Sequence, residues 1–167
     1  EAMRPAIIGF LLVGVTLGAL MIASQETGIS RDESFYVHAA RQQAEYFRAV
    51  YEDPKRAFDK ETIDKAYRYN REHPALMKNL FALSLIAEEE FDLFPTEIMA
   101  HRFPAMVIAS LLVALIYLSY RGRIGEMPAI FAALAFITMP RVFYHSQLNC
   151  FGIPIAFFIF ITSIAYL

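Results

Sequence analysis

Residues 5–23 read PAIIGFLLVGVTLGALMIA, nineteen positions without a charged side chain. At about 1.5 Å per residue, a helix of that length nearly crosses a hydrocarbon core of roughly 30 Å. Residues 1–23 are therefore expected to hold a first transmembrane helix. A cleaved signal peptide has a shorter apolar region, about 7–15 residues. Gly14 and Gly18 form a GxxxG pair, a spacing that lets helices approach closely in lipid.

The rest of the composition agrees with that start. Of the 167 residues 57% are hydrophobic and the formal charge is only −2, which is too apolar for an ordinary soluble domain. A near-neutral balance offers no basic footprint for phosphate neutralisation, so a nucleic-acid partner is not expected. The lone cysteine, Cys150, excludes an intrachain disulfide framework and any CxxC site.

Past the apolar run the chain changes character. Residues 24–101 carry ten basic and fifteen acidic side chains and are expected to form a helical loop outside the membrane. Phe35, Ala39, Tyr46 and Val50 recur at helical spacing. Asp53 and Pro54 break that pattern, and Thr62 could cap a short helix running towards Asn70. Pro74 then suits the first turn of another helix, with Leu76, Leu80, Leu83 and Ala87 as its apolar stripe.

Residues 102–167 supply the remaining membrane segments. Spans are expected at 103–120, at 127–144, where Pro140 and Arg141 interrupt, and from 151 onward. The expected fold is thus an all-α membrane protein with about four transmembrane helices and a large helical loop between the first and second. Arg4, Arg121 and Arg123 fall on one side, against Arg141 alone on the other. The positive-inside rule puts the former in the cytoplasm and the loop on the extracytoplasmic face of a bacterial inner membrane or its equivalent.

Two stretches could carry chemistry. In ISRDESFYVHAA, residues 29–40, Ser30 and Glu33 match the S-x-x-E capping box, and Asp32 sits where the helix dipole favours a carboxylate. That is a sufficient structural account of Glu33. For Asp32, a helix-start role and a catalytic role both stand. In REHPALMKNL, residues 71–80, basic side chains flank a helix start, an arrangement that can hold an anion such as a lipid phosphate. The alternative is that Arg71 and Lys78 are ordinary solvated charges. Arg102 and Arg141 each end a span, where a cation either snorkels or finds a partner. The four histidines show no HxxxH or HExxH spacing, so no zinc site is expected. No P-loop, GxGxxG or GxSxG element occurs.

Taken in order, these features resemble the amino-terminal part of the GT-C class of integral-membrane glycosyltransferases, nearest the protein O-mannosyltransferases and lipid A aminoarabinose transferases. One span is followed by a large loop opening on "DE", then by HPALMK (73–78) and by HRFPAMVIASLLVALIYLSY (101–120), similar to that family's arginine-led second span. The resemblance implies transfer of a sugar from a polyprenyl-phosphate carrier, with Asp32 as general base. Lys78, Arg102 and Arg141 would hold the lipid phosphate, and His73 would shape the turn that presents Lys78. It also implies further spans beyond residue 167. Where relatives carry an acidic residue that helps hold a metal or phosphate, LNCFGIPIAFF (148–158) has Gly152, so no divalent metal is assigned. A second class of function is a non-catalytic membrane scaffold that binds lipids and other membrane subunits.

Overall fold

The computed structural model describes residues 3–166. Its helices, in chain order, are α1 (Met3–Ser24), α2 (Arg31–Glu52), α3 (Pro54–Ala57), α4 (Lys60–Tyr67), α5 (Ala75–Phe91), α6 (Glu97–Ile124), α7 (Glu126–Thr138), α8 (Pro140–Ser146) and α9 (Gly152–Ala165). There is no strand among the described residues. The contacts divide the chain into two units, one of residues 1–27 with 105–167 and one of residues 28–104.

The first unit is the apolar one. On α1 the buried residues Leu12, Thr16 and Leu20 recur every fourth position, while Phe10, Leu11, Val15 and Ile22 are exposed. A helix that is apolar on its outward face as well suits lipid better than water. Leu12 joins Val113 and Tyr117 of α6 and the i, i+4, i+8 row Ala129, Ala133 and Ile137 of α7 in one core. Small residues in that row let backbones approach closely, which is how helices gain packing energy in lipid. An Arg4–Glu126 ion pair at 3.0 Å places the amino ends of α1 and α7 at the same end of this unit.

Helices α1 and α6 are long and apolar enough to cross a membrane, and α7 with α8 adds a third crossing if the bent pair is one span. The fourteen residues of α9 rise about 21 Å, short of a roughly 30 Å core. By length and composition, two or three of the expected four spans are thus present among the described residues. The break in the third has a local cause. Pro140 lacks an N–H and forces its predecessor out of the helical region, and Met139 sits at φ −59°, ψ 122°. The two pieces meet at 72°. Gly125, at φ 94°, makes the preceding turn into α7, a backbone position that side chains other than glycine's resist.

The second unit is built on α2, which packs mainly against α5 and also against α3 and α4. Its inward face keeps Ala39 of the expected stripe but not Phe35. Ala39, Ala40, Gln43 and Ala44 are buried, whereas Phe35 is exposed. The close contact with α5 selects short side chains, so the aromatic positions are turned to the flank. On α5 the buried set is Met77, Lys78, Phe81, Ala82 and Leu85, one position round from the expected stripe, and Leu76 and Leu83 point outward. Burying Phe81 completely contributes about 1.5–3 kcal/mol. The start of α4 is also earlier than expected, with Asp59 rather than Thr62 at its N-cap. Asp53 caps α3, its carboxylate accepting from the Arg56 N–H at 3.3 Å, with Pro54 at the first helical position.

Candidate functional site

The stretch that opens α2 divides its two carboxylates sharply. The Ser30 N–H donates to Glu33 Oε2 at 2.8 Å, closing the capping box. Glu33 is also completely buried, and Arg102 reaches it from α6 with Nε to Oε1 at 2.8 Å and Nη2 to Oε2 at 2.9 Å. Arg102 Nη2 donates in addition to the Gly28 carbonyl at 2.8 Å. Neither side chain has measurable exposure. Of the two local alternatives for Arg102, snorkelling or finding a partner, the structure has the second, and that pairing is unlike the lipid-facing role that the resemblance implies. The planar fork of Arg102 matches the carboxylate's two oxygens, and a buried guanidinium needs such a partner.

Asp32 is one residue away, about 100° round the helix. It is exposed, in the first turn of α2, where the dipole favours its charge. Asp32 has no hydrogen bond or ion pair among the described residues, so its carboxylate is open to solvent.

The REHPALMKNL stretch folds around an open cavity of about 380 Å³ at the amino end of α5, and Arg71, His73 and Lys78 all line it, with Tyr67 and Glu72. The turn before α5 depends on Asn70 at φ 52°, a left-handed conformation that asparagine tolerates better than most residues. Lys78 Nζ donates to the Asn70 carbonyl at 2.7 Å, so the buried lysine clamps the turn that forms the cavity wall. His73 is held edge-on to the Tyr36 ring, centroids 5.6 Å apart. Tyr67 donates to Asn79 Oδ1 at 3.2 Å. Burial pushes its hydroxyl pKa up, as does Tyr46, and the Asn79 bond pulls it back.

Burial pulls the Lys78 ammonium below the ordinary lysine range, and nearby Glu72 partly opposes that. Between its lowered folded pKa and the unfolded value, the unfolded chain binds more protons. Stability contributed at this site therefore rises with pH through that window. In denaturation curves stepped from neutral to alkaline pH, the wild type is expected to gain on Lys78→Met as pH climbs towards the ordinary lysine value. A stability difference that stays flat with pH would contradict this assignment.

The remaining sequence candidates lie in the first unit. Arg141 is exposed in the first turn of α8, and Gly152 opens α9 with an exposed face. A Cβ built on Gly152 meets no atom within 4 Å, so the glycine is not there for lack of room. Among the described residues no group of three or more His, Cys, Asp or Glu side chains is placed to hold a metal ion.

The Glu33–Arg102 pair has no signal in the sequence. Its members stand 69 residues apart, and each has a sufficient local explanation without the other. His101 was passed over for a similar reason, since it belongs to no ligand motif, yet it is buried beside Glu97 with its Nε2 at 3.5 Å from Oε1. No protein-family model, curated protein or solved structure matches this chain.

Proposed function

We propose that the chain is the amino-terminal part of a GT-C-like membrane glycosyltransferase, of four-span topology, that moves a sugar from a polyprenyl-phosphate carrier to an acceptor on the extracytoplasmic side. The observation that carries this reading is the gathering of Arg71, His73 and Lys78 around one open cavity at the start of α5. Three donor-bearing side chains at a helix amino end form a phosphate-binding arrangement, and the helix dipole adds to it. Asp32, exposed at the start of α2, supplies the second requirement, an accessible carboxylate.

In the proposed reaction Asp32 takes the proton of the acceptor hydroxyl as its oxygen attacks the anomeric carbon of the sugar. The bond from that carbon to the phosphate oxygen breaks, and the electron pair leaves with the lipid phosphate. Lys78 and Arg71 meet the charge that grows there, so the leaving group needs no proton. Arg102 is withdrawn from the role by its burial against Glu33. With Gly152 in place of an acidic side chain, no step is routed through a metal.

The test is binding of polyprenyl phosphate to the protein in zwitterionic detergent, with the uncharged polyprenol as control. A hydrogen bond to a charged group contributes about 1.5–3 kcal/mol, so Arg71→Ala and Lys78→Met are each expected to weaken binding of the phosphate about tenfold or more. Arg71 is exposed, which keeps the first variant informative if the second disturbs the turn. Equal affinity for phosphate and alcohol would remove the reading and leave the scaffold function in its place.

A further inference from the structure

The apolar row that the sequence marks on α5, Leu76, Leu80, Leu83 and Ala87, is turned away from the helix's buried face. Leu76 and Leu83 are 52% and 49% exposed, and Leu80 and Ala87 are half-buried. At about 100° per residue, the row stands nearly opposite the buried set Met77, Lys78, Phe81, Ala82 and Leu85. The helix is therefore apolar on two sides, and only one of them is buried among the described residues.

The charge pattern narrows what can cover the second side. Residues 75–87 hold one charged side chain, Lys78, and it is buried with its Nζ on the Asn70 carbonyl. Acidic residues come only at the carboxyl end. There Glu88 accepts from the Phe94 N–H at 2.8 Å and Glu89 pairs with Arg48 of α2, so both are held within the protein. The outward row offers a partner no charge and no hydrogen-bonding side chain, only aliphatic surface. Exposed apolar surface of this kind marks a contact with protein or with membrane. Phe91, which ends α5, and Leu93, in the connection to α6, are exposed apolar side chains as well.

Chain connectivity chooses between the two. Through a short connection α5 runs into α6, and α1 precedes the whole unit; both α1 and α6 are long and apolar enough to cross a membrane. A unit tied at both ends to such helices meets the bilayer at a high effective concentration, an advantage that a second copy of the chain does not have. From Leu76 to Ala87 the helix rises about 16 Å. A helix lying in the interface buries its apolar face about 5–10 Å into the head-group boundary, a depth that takes in leucine side chains and requires no spanning length.

We infer that α5 lies in the boundary layer of the bilayer, with its Leu76, Leu80, Leu83 and Ala87 row against acyl chains and its buried face against α2. The partner of this surface is lipid hydrocarbon. Such a placement holds for an enzyme and for a binding scaffold alike, so it can fail while the proposed function stands, and the reverse.

The chain has no tryptophan, so a single one reports on its own surroundings. The test places Leu83→Trp in the full chain, reconstituted in phosphatidylcholine vesicles, and measures quenching by lipids brominated on the acyl chains and by aqueous iodide. Glu61→Trp, in the exposed first turn of α4, gives the aqueous reference. Leu83→Trp is expected to be quenched several-fold more than Glu61→Trp by the brominated lipid and several-fold less by iodide, with its emission shifted to the blue. Leu76→Trp, on the same row, carries the same expectation and serves where Leu83→Trp does not fold. Iodide quenching as strong as at position 61 would put the row in water, and protection from both quenchers would put it against protein, such as a second copy of the chain. Either result overturns the inference.

Discussion

Glu33→Ala is expected to destabilise the Gly28–Pro104 unit by about 3–5 kcal/mol, the cost of stranding one member of a buried ion pair. Arg102 would keep its contact with the Gly28 carbonyl, but the carboxylate that accepts two of its N–H groups would be gone. The same substitution removes half of the capping box at the start of α2. Hydrogen exchange across α2 and denaturant unfolding in micelles report the loss. The control that isolates the charge is the double variant Glu33→Leu with Arg102→Met. Replacing both ions by apolar groups of similar volume removes the two desolvation penalties together, so it should recover much of what the single variant loses. A Glu33→Ala protein as stable as the wild type would mean that the pair is not buried as described.

If the proposed reaction is right, Asp32→Asn leaves that stability nearly intact and reduces sugar transfer by about 10²–10⁴-fold, the usual contribution of a positioned general base. The two neighbours thus separate experimentally. Asp32 is exposed and without a partner in the described residues, and a surface change of that kind costs about 0.5 kcal/mol or less. Loss of its charge from the first turn adds about 0.3–1 kcal/mol at low ionic strength. The measurement is single-turnover transfer from a polyprenyl-phosphate sugar, with unfolding curves in parallel. Full transfer by Asp32→Asn would exclude the base role. Equal loss from Asp32→Ala and Asp32→Asn, with a normal fold, would agree with it, because neither replacement can take up the proton.

Helix content and the apolar segments were legible from the chain alone because both depend on local pattern. A charge-free run such as residues 5–23 has few alternatives to a helix in lipid, and S-x-x-E at 30–33 closes its bonds within one turn. Segment ends were read well where proline or a capping carboxylate acts on its immediate neighbours, as at Asp53 and Pro54. The same local rule at Pro140 marked an interruption. Its size, a 72° bend, was not readable, since the angle depends on how α8 packs after the break.

The inward faces of α2 and α5 were the less legible part. Apolar periodicity locates an amphipathic helix but fixes the buried stripe only to within about one position, because neighbouring rows of a helix lie about 100° apart. Ala40 and Ala44 join the expected Ala39 at the interface with α5 in place of Phe35, and no single-helix pattern contains the approach of a second helix.

What the sequence determined by itself was an all-helical, apolar chain with spans at its start and in its second half, and a turn of chemistry-bearing residues at 71–78. Only the tertiary structure decided which charged groups are spent and which are available. It buried Arg102 against a carboxylate 69 residues away, left Asp32 in solvent, and buried His101 beside Glu97. The physical reason is that pairing between distant residues and loss of solvent are properties of a site, and a site exists only once separate helices have been brought together.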